Sequence, residues 1–393
     1  MNSKIISGIF IVALLVNGCI SEYNATMSSN EKEVLFVDGN IIENTMATFY
    51  ITKSFPLDSI PDEIFIKNAD LYIIGSNGYK SPRAINSWYD GRYQIWVEEL
   101  DDDVEYGIQI EYDGDTYQSS LSKPLHTPEI DSVSWEQPEK SDAIIFRVST
   151  QDDRTGASFF MWSYTEDWEI TADYRTTIFF NPMTGDFSID NSAPQYYCWR
   201  KNESDRFIVG STESLRENRV VNQQLYQYNT ADNRFSTLYS VNVTQRAMSK
   251  GAYEYYQNII KVNEEMGGLF TPQPSELIGN ITCITNPSKK AMGYVEFTKN
   301  TTQKRIFVYP YQLTRSSIAS GCYTIPHEDV LTILMENNIS LAHFYNWGYR
   351  PAGAGMMYEP YTAPMEWAQT YCTDCTVRGG TKNKPDFWPN DHQ

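Results

Sequence analysis

"YGIQIEYDGDTYQSS", residues 106–120, sets the architecture. Tyr106, Ile108 and Ile110 alternate with other residues before Asp113-Gly114, and "DTYQSS" resumes an extended pattern after it. Period-two alternation marks a strand with one buried face, and an Asp-Gly pair supplies the positive φ angles of a two-residue hairpin. The stretch is therefore predicted to be a β-hairpin.

Upstream, "VLFVDGNI", "ATFYIT", "ADLYII" and "GRYQIWV" are short runs rich in β-branched and aromatic residues with turns between them. Leu100 and Tyr106, followed by Ile108 and Ile110, have the pattern of the tyrosine corner of immunoglobulin-like and fibronectin-type sandwiches. Residues 34–128 are expected to form such a β-sandwich. "HTPEIDSVSWEQPEK", 126–140, carries two prolines and reads as the link to a larger antiparallel β-rich domain over 129–393. Its strands include "AIIFRVS", "TTIFF", "RFIVG" and "STLYSVNVT", and "GYVEFTK" with "KRIFVYPY" reads as a hairpin across Asn300 and Thr301. Two helices interrupt it. Ala252, Tyr255, Tyr256, Ile259, Ile260 and Met266 fall at helical spacing before Gly267-Gly268, and Val330, Leu331 and Leu334 follow Pro326 in "IPHEDVLTILMENN". The expected class is mainly β.

At the other end, "MNSKIISGIFIVALLVNG", residues 1–18, places Lys4 before an apolar run too short to span a bilayer. Gly18 then precedes Cys19, the order of a bacterial lipobox. Residues 1–18 are expected to be a lipoprotein signal peptide, Cys19 the acylated first residue, and polar residues 19–33 a flexible tether. Lipid is the expected membrane attachment. A formal charge of −19 repels nucleic acid, so that class of partner is excluded.

The remaining cysteines, Cys198, Cys283, Cys322, Cys372 and Cys375, are disulfide candidates in an oxidising compartment. At most two bonds form, in any of about 15 arrangements. A single CxxC and four scattered histidines offer no metal site, and no metal or other cofactor is expected. GxSxG, HExxH, P-loop and GxGxxG motifs are absent, so the reading is a protein without catalytic residues. "DGDT" at 113–116 lacks the later ligands of a calcium loop.

Three aromatic clusters are candidate contacts for a small molecule, peptide, glycan or partner, with core packing as the alternative: "WSYTEDWE" with Trp162, Tyr164 and Trp168; "YYCWR" with Tyr196, Tyr197 and Trp199; and "FYNWGY" with Trp347 and Tyr349. Trp162 and Trp168 are the preferred surface candidates because Glu166, Asp167 and Glu169 lie among them.

The lipobox cysteine, "FVDGNI", "KNADLYI", "GRYQIWVEELDDDVEYGIQI", "YYCWR", "LFTPQPSELIGNI", "GYVEF" and the terminal "CTDCTVRGGTKNKPDFW" together resemble the domain-of-unknown-function 4249 family of Bacteroidota outer-membrane lipoproteins. That resemblance implies an outer-membrane lipoprotein, on the cell surface or the periplasmic face, acting as a non-enzymatic accessory partner of a TonB-dependent transporter in nutrient uptake. The rival readings are a secreted envelope hydrolase and a structural or adhesive surface lipoprotein. Asp58-Ser59-Ile60 and Asp131-Ser132-Val133 resemble the O-glycosylation acceptor motif of these bacteria. The tail, which lacks the helix pattern of a redox CxxC, is expected to be a latch: Cys372 or Cys375 bonded to a distant cysteine, Cys198 first, with Phe387 and Trp388 docked on the body.

Overall fold

The computed structural model describes residues 34–54, 64–87, 90–190, 192–265, 277, 279–315, 321–353, 356–358, 361–363 and 366–390. The expected signal peptide, Cys19, the expected tether, the Asp58 motif and the Met266–Gly268 helix end lie outside the described residues.

Seven strands open the fold: β1 (Val34–Ile42), β2 (Met46–Lys53), β3 (Asp70–Gly75), β4 (Ile85–Ser87), β5 (Arg92–Trp96), β6 (Tyr106–Tyr112) and β7 (Asp115–Ser119). One sheet runs β1-β2-β5-β4 and the other β7-β6-β3. The predicted hairpin joins β6 to β7, Tyr112 opposite Asp115, with Asp113 at φ 52° and Gly114 at φ 75°. The tyrosine corner is formed: Asp101 donates its N–H to the Tyr106 hydroxyl at 2.9 Å. Phe49, Leu71, Tyr93, Ile108 and Ile110 are fully buried between the sheets, which their alternation with exposed positions requires.

A second sandwich follows. It uses β8 (Ile130–Glu136), β9 (Ala143–Gln151), β10 (Phe159–Thr171), a small hairpin of β11 (Ile178–Phe180) and β12 (Phe187–Ile189), then β13 (Tyr197–Glu203), β14 (Ile208–Ser211), β15 (Arg219–Asn229) and β16 (Tyr239–Ala247). The sheet β15-β9-β8 packs Phe146 and Tyr226 against Tyr164 and Tyr239 of the sheet containing β10 and β16, with Phe146–Tyr226 ring centroids 4.6 Å apart and Tyr164–Tyr226 4.1 Å. Helix α1 (Lys250–Glu265) then buries Ala252 and Tyr256 against Phe159 and Met248, two positions of the expected stripe.

The chain next returns to the first sandwich, which corrects the expected boundary at 128/129. β17 (Ile281–Cys283) adds to β7, while β18 (Lys290–Met292) and β19 (Phe297–Thr298) run parallel to β1. Ile281, Cys283, Val295 and Phe297 join the first core. Without this segment β1 and β7 would be open edges, prone to pair with other chains. Gly293 is needed here: its φ is 131°, and a Cβ would stand 2.1 Å from the Val37 carbonyl oxygen. The expected hairpin across Asn300 and Thr301 is likewise replaced by a crossing between sandwiches, because β19 pairs with β1 and β20 (Thr302–Val308) pairs with β16. Asn300 clamps the outgoing link at that crossing, accepting from the Thr127 N–H at 3.0 Å and donating to its carbonyl at 2.8 Å. The chain thus passes between the two sandwiches three times, out after β7, back after β16 and out again at Asn300.

The last third carries β21 (Ile325–Pro326), α2 (His327–Asn337), α3 (Leu341–Asn346), β22 (Tyr349–Ala352), the hairpin β23 (Met356–Tyr358) and β24 (Tyr361–Ala363), β25 (Glu366–Gln369) and the single turn α4 (Thr370–Thr373). Both expected helices form, and α3 and α4 are two that the apolar pattern does not announce. Phe180, Val330, Leu334, Phe344 and Trp367 make a third, small core. The tail then runs back onto the second sandwich and ends against it.

Candidate functional site

Disulfides set the tail. Cys198 of β13, the expected partner, is bonded to Cys375, and Cys322 to Cys372; Cys283 is a buried thiol in the first core. The sheet order β13-β10-β16-β20 leaves β13 at an edge. Thr381 covers that edge, exchanging backbone hydrogen bonds of 2.9 Å in both directions with Trp199. Gly380 permits the approach, since a Cβ there would lie 2.4 Å from the Cβ of Cys198. Trp388 is buried beside Trp199 and Leu238, and its Nε1 donates to Glu169 Oε2 at 3.0 Å. Arg305 lies 3.5 Å from the Phe387 ring centroid. Asp173 lies beside the Cys322–Cys372 bridge, but sulfurs bonded to each other offer no thiolate to a metal.

Between this tail, the C-terminal half of β10, β13 and the turn at 231–236 lies a groove of about 1530 Å³. Its lining carries five cationic side chains, Arg200, Lys201, Arg234, Arg315 and Arg378, against two carboxylates, Asp173 and Asp232. In a chain of formal charge −19, that local reversal of sign is the feature that separates this surface from the rest.

The groove floor is held by a buried carboxylate. Glu166, fully buried, accepts from Tyr239 at 2.6 Å, Asn202 at 2.9 Å, Tyr228 at 3.0 Å and Arg234 Nη1 at 3.0 Å. Arg234 also donates through Nε to Asp232 at 3.2 Å and lies 3.8 Å from the Tyr228 ring centroid and 5.1 Å from that of Trp168. Burial opposes the charge on Arg234, but Glu166, Tyr228 and Asp232 outweigh it and bind its proton more tightly. Burial also pushes the Tyr226 and Tyr239 hydroxyls well above the ordinary tyrosine range, so both stay protonated donors.

The other cations are held differently. Arg378 pairs with Asp173 and donates to the carbonyls of Tyr371 at 2.8 Å and Thr171 at 3.3 Å. Lys201 pairs with Glu203 at 2.9 Å. Arg315 donates to the backbone carbonyls of Thr230 at 2.8 Å and Phe235 at 2.5 Å, with no carboxylate among its hydrogen-bond partners. Arg200 is exposed, and its guanidinium carbon lies 5.4 Å from the Trp168 ring centroid.

The preferred surface tryptophans therefore need correction. Trp162 is fully buried, donating to Gln245 at 2.8 Å; Tyr164 and Trp168 are each 7% exposed, and of the three only Trp168 lines the groove. The neighbouring acids do not drag the segment to the surface because they are engaged inside: Glu166 as above, Asp167 by Arg305 at 3.0 Å, and Glu169 through Oε2 by Trp388. Trp199 is buried under the tail, with Tyr196 and Tyr197 half-buried. Trp347 is 59% exposed and Tyr349 half-buried against the third core, and neither lines the groove. Arg200 stands inside the "YYCWR" stretch and Arg378 inside "CTDCTVRGG", but Arg234 and Arg315 carry no local signal.

The family described as "Domain of unknown function (DUF4249)" matches residues 20–304. The chain belongs to that family. Its match takes in the first sandwich and the second as far as the start of β20, and ends before Arg315, Arg378 and the tail, so the cationic groove combines residues inside the DUF4249 region with residues beyond it. No curated protein matches the chain. Among solved structures, a segment of two fibronectin type-III domains from chicken tenascin aligns at 11% identity and a TM-score of 0.15, over 54% of this chain and 90% of that one. Trypsin-activated alpha-2-macroglobulin from Escherichia coli aligns at 10% identity and a TM-score of 0.20, over 59% of this chain and 15% of that one. At such TM-scores the fold assignment rests on the chain's own sheets and tyrosine corner. No helix among the described residues is long and apolar enough to cross a membrane.

Proposed function

We propose that this chain is a non-enzymatic binding lipoprotein of the bacterial outer membrane, anchored through acylated Cys19, which holds a ligand in the cationic groove and serves a TonB-dependent transporter as accessory partner. The observation that carries the binding part is the groove itself: about 1530 Å³, lined by five cations and two acids on an acidic protein. Its walls are pre-formed, with Arg234 fixed on Glu166 and the tail bonded at Cys372 and Cys375, so little ordering is left to oppose binding. The anchor and transporter parts are supported by the lipobox order of residues 1–19 and by the family resemblance. A hydrolytic role fits less well, since both lining carboxylates already engage arginines, Asp173 with Arg378 and Asp232 with Arg234.

The test is purification of the native lipoprotein from outer membrane with its lipid intact, followed by mass spectrometry of what accompanies it. A TonB-dependent barrel and a groove-bound small molecule, the latter lost in Arg200→Glu, are the expected result. Recovery of neither, or an unacylated product with its leader intact, refutes the reading.

A further inference from the structure

Resting on the groove as binding site, we infer that its ligand is an acidic oligosaccharide, a sugar chain bearing carboxylates. Among the described residues, two guanidiniums lining the groove form no hydrogen bond or ion pair with a carboxylate. Arg200 lies beside the Trp168 ring and Gly379, and Arg315 donates to backbone carbonyls with the Asp232 carboxylate near enough to act on its charge, whereas Arg234, Arg378 and Lys201 are each committed to an acid of the protein. A guanidinium is a planar fork of donors that matches a carboxylate with two parallel hydrogen bonds, so arginine selects this anion by shape as well as by charge.

The rest of the lining suits a sugar. Asn202 gives its amide nitrogen to Glu166, which leaves the amide oxygen as an acceptor for a hydroxyl. Asn233 adds a second amide, and Tyr371, half-exposed with the Arg378 guanidinium carbon 4.5 Å from its ring centroid, lines the tail side of the groove. Rings beside amides serve the apolar faces and the hydroxyls of a pyranose together. The volume exceeds the roughly 300–1,000 Å³ of a typical small-molecule pocket, which favours several linked units.

An acidic peptide fits less well, because an extended peptide docks by adding a strand to an open sheet edge. The nearby edge, β13, is already paired at Trp199 with Thr381 of the tail. Nucleic acid would face the repulsion of the whole acidic chain.

The test is calorimetric titration of the full mature lipoprotein in detergent with oligogalacturonate, a neutral maltooligosaccharide and oligoglutamate. Oligogalacturonate should bind saturably and less tightly as salt is raised, and the other two should not. Arg200→Gln should weaken binding at least about tenfold, the size of one charge-assisted contact, and Arg200→Lys by less, with both variants melting as the parent does. Equal binding of the neutral sugar, preference for oligoglutamate, indifference to Arg200→Gln, or silence of all three probes each overturns the acidic-sugar assignment. The binding reading itself falls only if the native lipoprotein also brings no groove-bound molecule from the membrane.

Discussion

The two sandwiches share a construction but differ in what they bury. The first closes on a core of aliphatic and aromatic side chains with one reduced cysteine, Cys283. The second buries Asp152, Glu166, Asp167 and Glu169 and holds Cys198–Cys375, while the other buried carboxylate among the described residues, Glu296, sits where α1 meets the return segment. Burying charge is costly unless each group is paired, and it adds little stability when it is. A protein that keeps such a network in one half and not the other has placed its positioned polar groups there. On the proposed function, the first sandwich supports and the second recognises.

The strongest way to break this comparison is to cut the tail free. Cys198→Ala with Cys375→Ala opens a loop spanning 177 residues, and the loop-closure relation sets the loss at about 5 kcal/mol. Denaturant unfolding should show the second sandwich melting earlier while the first holds its midpoint; equal shifts in both would merge the two regions. Glu166→Ala comes next. It leaves Arg234 with Asp232 as its remaining carboxylate and strands three neutral donors in the interior, at a cost of about 4 kcal/mol, seen as a lower unfolding midpoint and as lost order around Arg234. A loss under 1 kcal/mol would show that the network does not hold the groove floor.

On the other side, Phe297→Ala should cost about 3 kcal/mol by leaving a cavity in the first core, although residue 297 follows the second sandwich in sequence. Unfolding followed by hydrogen exchange should show the loss at β1 and β2; protection lost in β16 instead would return the segment to the second region. The smallest effect is at Asp152, whose carboxylate accepts from the Arg154, Thr155 and Ala157 N–H groups and the Thr155 hydroxyl at 2.6–2.9 Å. Burial works against the charge there, but these bonds outweigh it and hold the carboxyl below the usual range. A depressed folded-state pKa gives stability that is present above the unfolded value near 4 and lost as pH falls through the folded value. Asp152→Ala should therefore cost about 2 kcal/mol at pH 7 and much less near pH 2. A pH-independent difference would contradict the assignment.

What the sequence showed and hid follows from range. The Asp113-Gly114 turn, the Tyr106 corner and the α1 stripe are local, each decided by residues within a few positions, and each forms. The return strands are two or three residues long, too short for any periodicity, and only their partners in β1 and β7 make them strands. Glu166 gave a false surface signal to Trp162 and Trp168 because its partners come from positions 202, 228, 234 and 239. The groove was invisible for the same reason. Its arginines come from β13, the 231–236 turn, residue 315 and the tail, segments that meet only in the folded chain.

The division of labour is tested most directly by oxidative footprinting of the native protein with and without the small molecules that co-purify with it. The half-exposed Tyr371 and Tyr196 at the groove should be protected, while Tyr50 and Trp96 on the outer face of the first sandwich keep their rates. Protection of Tyr50 or Trp96 with Tyr371 unchanged would place recognition on the wrong half and contradict the account.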